Sequence, residues 1–291
     1  MSTVPPVLPP PRRRLGRAFA RAAGRYDAAA VVQQRVEAEL DARLEEARLT
    51  PAVVLDVGTG TGRALRQLKK RYRRALVLGV DLSMAMLAEA RRKRGFLSTF
   101  ELARADAAAL PLRAESVDLG CSSFLLHWLG DPAAAFAELA RVLRPGATLQ
   151  FATLGPDSLN ELREALAVTG EALPAPPDLE ALGGALMRAG FRNPVLDVDR
   201  YRLTYAGVPE LLRDLRANGG LALRAGGRGL GGRARLAAIA AAYPRLPSEP
   251  RIGATIEVIY ARAERDSAPA RRAVDPSEVV VSLDRLGRRR P

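Results

Sequence analysis

Cysteine occurs once in this 291-residue chain, at Cys121. One thiol can neither close an intrachain disulfide nor build a Cys-based metal site, and it fits a reducing compartment, so a cytoplasmic location is expected. Histidine also occurs once, as His127, with no tight His/Asp/Glu group beside it, so no metal centre is expected. Aromatic residues make up only 5% of the chain, and no aromatic-rich readout module supports a nucleic-acid function. No run approaches the ~18 apolar residues of a membrane span. Acid is in deficit: 32 Asp and Glu face 45 Lys and Arg, for a net charge of +13. Part of that surplus reflects an Arg- and Ala-rich composition. The rest is attraction to an acidic partner, for which nucleic acid, an anionic membrane or a small acidic protein all qualify. The N-terminus, MSTVPPVLPPPRRRLGRAFARAAGRYDAAA, lacks the apolar stretch of a secretory signal. Its Arg-rich start suits a mitochondrial presequence as well as a piece of the fold.

What is there is an alternation of strands and helices. Residues 1–14 read as a disordered Pro-rich and basic tail. Residues 15–48 read as helix, interrupted at Tyr26-Asp27, with Val32, Val36, Leu40 and Leu44 recurring every four. Strands are expected at 53–57, 76–81, 100–106, 116–124 and 147–154. The helices between them run through Lys70, over 83–93 and over 131–146, the last with Phe136, Ala140 and Leu143 facing inward. This pattern predicts a mostly parallel twisted sheet with helices on both faces. A less regular stretch, about 157–250, reads as a helical insertion on the substrate side, with helices at 157–170, 178–191, 208–220 and within 226–246. Residues 195–205 suit an edge strand and 253–264 a strong late strand. Residues 265–291 read as a basic tail, with a transient strand at VVVSLDRL. There is no internal repeat, and a monomer is expected.

The chemistry collects at the strand ends, where open parallel sheets bind ligands. VVLDVGTGTGR (53–63) runs a buried strand into Gly58, Gly60 and Gly62. A Walker phosphate loop needs Gly-Lys-Ser/Thr after the glycines, but Arg63-Ala64 follow. A dinucleotide loop widens its last spacing to G-x-G-x-x-G, whereas here the spacing is even. Asp56, two residues before the first glycine, is awkward beside a pyrophosphate and suits a cofactor bearing an ammonium group. Asp81, at the end of the second strand, can accept from both ribose hydroxyls. Asp106-Ala107, at the end of the third, can read an adenine amine. S-adenosylmethionine carries all three groups. The bland alternative, a turn that only packs strand on helix, does not account for both later acids. Met84 reads equally as an adenine contact or as core. His127, beside Trp128, reads as structural or as a catalytic or substrate group. Tyr26 reads as a flap over the cofactor or as packing. Methyl transfer to an anion asks for alignment and exclusion of water rather than acid–base catalysis, so the lack of a triad is compatible with it.

VLDVGTGTG, LGVDLSMAMLAEAR, ARADAAALPL and LARVLRPGATLQFATLGP resemble the Rossmann-like class I S-adenosylmethionine-dependent methyltransferases. RLGRAFARAAGRYDAAAVVQ (14–33), SSFLLHWLGDPAAAFAELARVLRPG (122–146), GPDSLNELREA (155–165), LRDLRANGG (212–220) and GATIEVIYARA (253–263) are similar to the malonyl-acyl-carrier-protein O-methyltransferases of biotin synthesis, over roughly residues 14–264. The resemblance implies an O-methyltransferase that esterifies the free carboxylate of malonyl-acyl-carrier protein, whose acidic surface matches the basic chain. It also implies arginines for the malonyl carboxylate, for which Arg21, Arg25, Arg213 and Arg216 are the candidates. Tyr26 and His127 are the candidate catalytic groups. Two departures fall near the expected acceptor site: EALPAPP (171–177) replaces a His- and Phe-containing stretch, and Ile256 stands where relatives often have Tyr. Methylation of another carboxylate or small molecule is the alternative. So is the chemistry of a related complex I assembly branch that hydroxylates arginine.

Overall fold

The computed structural model describes residues 12–95, 100–129, 131–219, 232–246 and 249–267. Most of both expected tails and the start of the 226–246 segment lie outside these residues. Seven strands form one sheet: β1 Val53–Val57, β2 Leu76–Asp81, β3 Glu101–Arg104, β4 Val117–Ser123, β5 Leu143–Leu154, β6 Phe191–Tyr205 and β7 Ile252–Arg265. Their order is β3-β2-β1-β4-β5-β7-β6. The first five run parallel, and β7 is antiparallel to both β5 and β6. The strand order reverses between β1 and β4, which opens a crevice at their carboxyl ends. The chain is thus the expected Rossmann-like α/β fold.

Side-chain alternation along β1 sorts the core. Leu55 and Val57 join one apolar layer with α6 (Ala133–Val142) and α8 (Leu179–Arg188). Val54 points the other way, toward Leu44 of α3 (Val31–Glu46) and Leu65 and Leu68 of α4 (Arg63–Arg71). A further cluster joins α7 (Asn160–Ala167), α9 (Val208–Ala217) and α10 (Arg233–Ala242) to β6 and β7. Within the 157–250 stretch, α8 and β6 therefore belong to the layered fold itself, with β6 as the expected edge strand.

Two expected helices are shorter or more broken than their patterns suggest. The 15–48 stretch divides into α1 Arg12–Ala22, α2 Tyr26–Ala29 and α3. Gly24 falls in the first break, and Ala30 leaves helical geometry at φ −86°, ψ 46°. The Gln34 side chain donates to the Asp27 carbonyl at 2.7 Å across the second break. Helix α1 also takes in Arg12–Arg14, which the sequence placed in a disordered tail; Arg12 is held by an ion pair to Asp106. The 131–146 helix ends at Val142. Pro145 lacks a donor and forces Arg144 toward extended geometry, so Leu143 is buried from β5 rather than from a helix. The carbonyls of Arg141 and Val142 then accept from the amides of Glu115 and Ser116.

Gly62, the last glycine of the turn, has a structural duty. Its φ is +73°, and a Cβ there would meet the Ala90 Cβ at 2.8 Å. Ala90 lies on α5 (Met84–Arg92), so this glycine lets α5 pack against the start of α4. Gly62→Ala is expected to cost about 2 kcal/mol in urea unfolding. Adding Ala90→Gly should recover the contact part and leave the left-handed strain. An unchanged midpoint in the single variant would contradict this role.

Candidate functional site

The glycine turn is fastened to β2. Gly58 and Gly60 are left-handed, at φ +79° and +53°, conformations that glycine adopts without a Cβ penalty. The amides of Gly58 and Thr59 both donate to the Val80 carbonyl, at 2.8 and 3.0 Å. The Asp81 carboxylate accepts from the amide of Gly60 at 2.9 Å and from that of Ser83 at 2.8 Å, one bond to each oxygen. Ser83 in turn caps α5 through the Met86 amide. Burial raises the Asp81 pKa, against the pull of these amide bonds. Each oxygen keeps a lone pair for a further donor.

A cavity of about 370 Å³ opens at this point. Gly58, Gly60, Asp81, Asp106 and Ala107 line it, five of the expected cofactor residues, together with Tyr26. Leu82 and Met86 also line it, and α1 contributes Arg12, Leu15 and Phe19. The Asp106 carboxylate accepts from the Ala108 amide at 3.0 Å and pairs with the Arg12 guanidinium. Met84 is not part of this wall. It opens α5 and is 53% exposed, neither core nor cavity, while Met86, two residues on, turns inward at 1%. The helical step of ~100° per residue separates the two; a cap at Ser83 was the signal that could have told them apart.

Asp56 lies on the other side of the sheet from this cavity, because it shares β1's alternation with Val54 rather than Val57. It is buried beside the turn, in a small polar recess shared with Tyr26, Glu37, Gly58, Gly60 and Thr61. Its Oδ2 is buried with no hydrogen-bond partner. Burial pushes its pKa up to about 7, the Thr59 hydroxyl opposes this, and Glu37 and Asp81 add to it. The recess is roofed by α2 and α3. Asp27 accepts from the Thr61 hydroxyl at 2.5 Å and pairs with Lys93 at 2.6 Å. Against the upward push of burial, those bonds hold Asp27 below the usual carboxylate range.

A second cavity, of about 300 Å³, lies across Tyr26, Phe124 and Trp128, which border both. Its other polar lining is Gln33, His127, Thr204, Tyr205, Asp214 and Asn218. Tyr205 donates to Asp214 at 2.8 Å, and burial raises the Asp214 pKa. Burial pushes His127 down to about 3, and its buried Nδ1 has no partner, so the imidazole is neutral at ordinary pH. Burial also raises the Tyr26 pKa, reinforced by Glu37, Asp81 and Asp27, which keeps its hydroxyl protonated. Ile256 lines this cavity as well. In the 171–177 stretch, Leu173 joins the neighbouring apolar cluster and Glu171 pairs with Arg235.

The four expected substrate arginines are not in this wall. Arg21, Arg25, Arg213 and Arg216 are all exposed, and among the described residues lining the second cavity none is Lys or Arg. Arg213 and Arg216 lie on the outer face of α9, whose Leu211, Leu212 and Leu215 face the core. The period of that helix already separates them from its apolar side.

The comparisons with known proteins agree with this architecture. A family described as methyltransferase domain matches residues 55–151. A putative methyltransferase structure from Bacillus halodurans superposes with a TM-score of 0.58 at 18% identity, covering 79% of this chain and 98% of its own. A Thermotoga maritima S-adenosylmethionine-dependent methyltransferase, possibly a histamine N-methyltransferase, gives 0.52 at 18%, covering 87% and 100%. These share the fold. At the sequence level, the malonyl-acyl-carrier-protein O-methyltransferase of Laribacter hongkongensis is 43% identical over 94% of this chain and 95% of its own length. That of Halorhodospira halophila is 41% identical over 96% of both. With identity of that depth running past the glycine turn and through the segments that wall the second cavity, the chain belongs to the malonyl-acyl-carrier-protein O-methyltransferase family.

Proposed function

We propose that this chain transfers the methyl group of S-adenosylmethionine to the free carboxylate of malonyl-acyl-carrier protein, forming the methyl ester. The observation that carries the reading is the meeting of two cavities at Tyr26, Phe124 and Trp128, in a chain more than two-fifths identical to relatives of that name over nearly its whole length. The residues present fit the cofactor. Asp81 retains acceptor capacity for ribose hydroxyls, Asp106 and Ala107 offer an edge for adenine, and Leu82 and Met86 give it apolar walls. The unpartnered Oδ2 of Asp56, behind the glycine turn, suits an ammonium group.

S-adenosylmethionine supplies, when bound, an electrophilic methyl carbon on a sulfonium. The protein's task is to bring a carboxylate oxygen into line with it and to keep water away. The acceptor is already an anion, so no base is required. Tyr26, protonated and placed between the cavities, donates a hydrogen bond to the acceptor carboxylate. Gln33, Thr204 and Asn218 add neutral donors. His127, also neutral, shapes the wall without adding charge.

Incubated with S-adenosylmethionine and malonyl-acyl-carrier protein, the protein is expected to yield an acyl chain heavier by about 14 Da, the mass of the CH₂ that methylation adds. Recovery of unmodified malonyl groups under conditions where the cofactor binds would sink the reading. Tyr26→Phe is expected to lower kcat about 10- to 100-fold while leaving cofactor affinity within about threefold; equal losses in both would instead make Tyr26 a cofactor contact.

The raised pKa of Asp56 makes a further prediction. Below pH 7 the side chain is largely protonated, and an ammonium group binds its ionised form. Below the ~7.7–8.0 pKa of the cofactor's own amino group, binding therefore releases a proton, and affinity rises with pH, roughly fivefold between pH 6 and pH 7. Calorimetry across that range should show the slope in the parent protein and its loss in Asp56→Asn. A slope that persists in the variant assigns the proton to another group.

A further inference from the structure

We infer that the outer face of α1 is the docking surface for the acidic carrier protein; this rests on the proposed function and assigns a place to its partner. Arg13, Arg14, Arg17 and Arg21 lie within roughly 100° of arc on this helix, given ~3.6 residues per turn. They surround one shallow surface depression. The opposite side of α1 carries Leu15 and Phe19, which pack on Trp128. The helix thus turns its apolar side to the cavities and its four guanidiniums to solvent.

These charges are unspent. Several arginines elsewhere find acids, as Arg63 with Glu37, Arg71 with Asp41, Arg141 with Glu138 and Arg200 with Asp157. Among the described residues, none of the four arginines on α1's outer face has an acidic partner. Four like charges on less than three turns of helix repel one another. They cost nothing comparable when an anionic surface faces them, and a guanidinium forks onto carboxylates more selectively than an ammonium does.

The position suits delivery of a tethered substrate. Val31, at the start of α3, lines the second cavity and is 65% exposed, so it marks the mouth of that cavity. The chain reaches that mouth from α1 through α2 alone. Phe19 of α1 also borders Gly219, just past α9, where a Cβ would lie 3.1 Å from its ring. A protein seated on the arginine face stands beside the mouth without covering it, and its acyl arm can enter while the body stays outside. This gives Arg21 a different duty from contact with the malonyl carboxylate.

The test uses the full chain and the double variant Arg13→Glu/Arg17→Glu. Neither residue lines either of the two cavities at the crevice, and both side chains are exposed, so folding should be retained; circular dichroism checks this. Two quantities are measured at low and high salt: Kd for the unloaded carrier protein, and KM and kcat for its malonyl form. The expected result is a Kd and a KM raised roughly tenfold or more at low salt, kcat within about twofold, and a gap that closes at about 0.5 M salt. Unchanged Kd and KM would overturn the assignment. So would a fall in kcat with unchanged Kd, which would make the face a support for the cavity. An equal loss of binding to a DNA duplex that the parent protein binds as tightly as the carrier would also overturn it, as general polyanion attraction. If the parent binds the carrier but makes no ester, the proposed reaction fails while Kd still decides the surface.

Discussion

The bonds that tie the glycine turn to the end of β2 set the geometry on which the rest of the site depends. One carbonyl, Val80, takes two amides, and one carboxylate, Asp81, takes two more. Each such bond contributes only about 1 kcal/mol net, but losing any of them leaves a buried or half-buried amide unpaired at greater cost. The turn can then hold left-handed glycines against the sheet without a side chain in the way. Because Asp81 is oriented by amides from both the β1 turn and the α5 cap, its free lone pairs face the crevice in a fixed direction. A ligand meeting them finds a preorganised acceptor rather than a mobile side chain.

The helices over this crevice are held differently. Helix α1 buries only Leu15 and Ala22, and its small apolar cluster with Trp128 is the least extensive in the molecule's described residues. Ionic and hydrogen-bonded ties do the remaining work: Arg12 to Asp106, Asp27 to Thr61 and Lys93, Arg63 to Glu37. Segments with little apolar burial open before the sheet does. The roof of the crevice is thus its least tightly held part. Tyr26 belongs to this roof and borders both cavities.

The sheet was legible because its signals are local. The central strands β1 and β2 are short, mostly apolar runs that lead into glycine or acid, and the spacing of Asp56, Asp81 and Asp106 follows the strand ends. The breaks at Gly24 and Ala30 were harder to see, since alanine and arginine favour helix on either side and a tertiary bond, Gln34 to Asp27, stabilises the interruption. The side of the sheet on which Asp56 falls follows from strict alternation after Val53, a readable signal. Met84 and Met86 required the phase of α5, which Ser83 sets. The second cavity was least legible. It is assembled from α2, α3, α9 and β6, and only the fold brings Gln33, His127 and Thr204 to one wall.

The arginines show the limit most clearly, and the physical reason bears on the proposed chemistry. A malonyl carboxylate invites an arginine, and the sequence has many. But a guanidinium forked onto the acceptor stabilises its full ground-state charge, while in the transition state that charge is already passing to the forming ester bond. Such a contact binds substrate more tightly than transition state and raises the barrier. In the proposed reaction, neutral donors of the kind that line the second cavity, Tyr26, Gln33 and Asn218, would orient the oxygen at smaller cost to its nucleophilicity, and apolar neighbours such as Ile256 and Phe124 would keep water from it. Positive charge is more useful where it accelerates encounter and makes no contact with the reacting atoms. On that argument the distribution in this chain is coherent: cation-free among the described walls of the second cavity, and strongly basic on the helix beside its mouth.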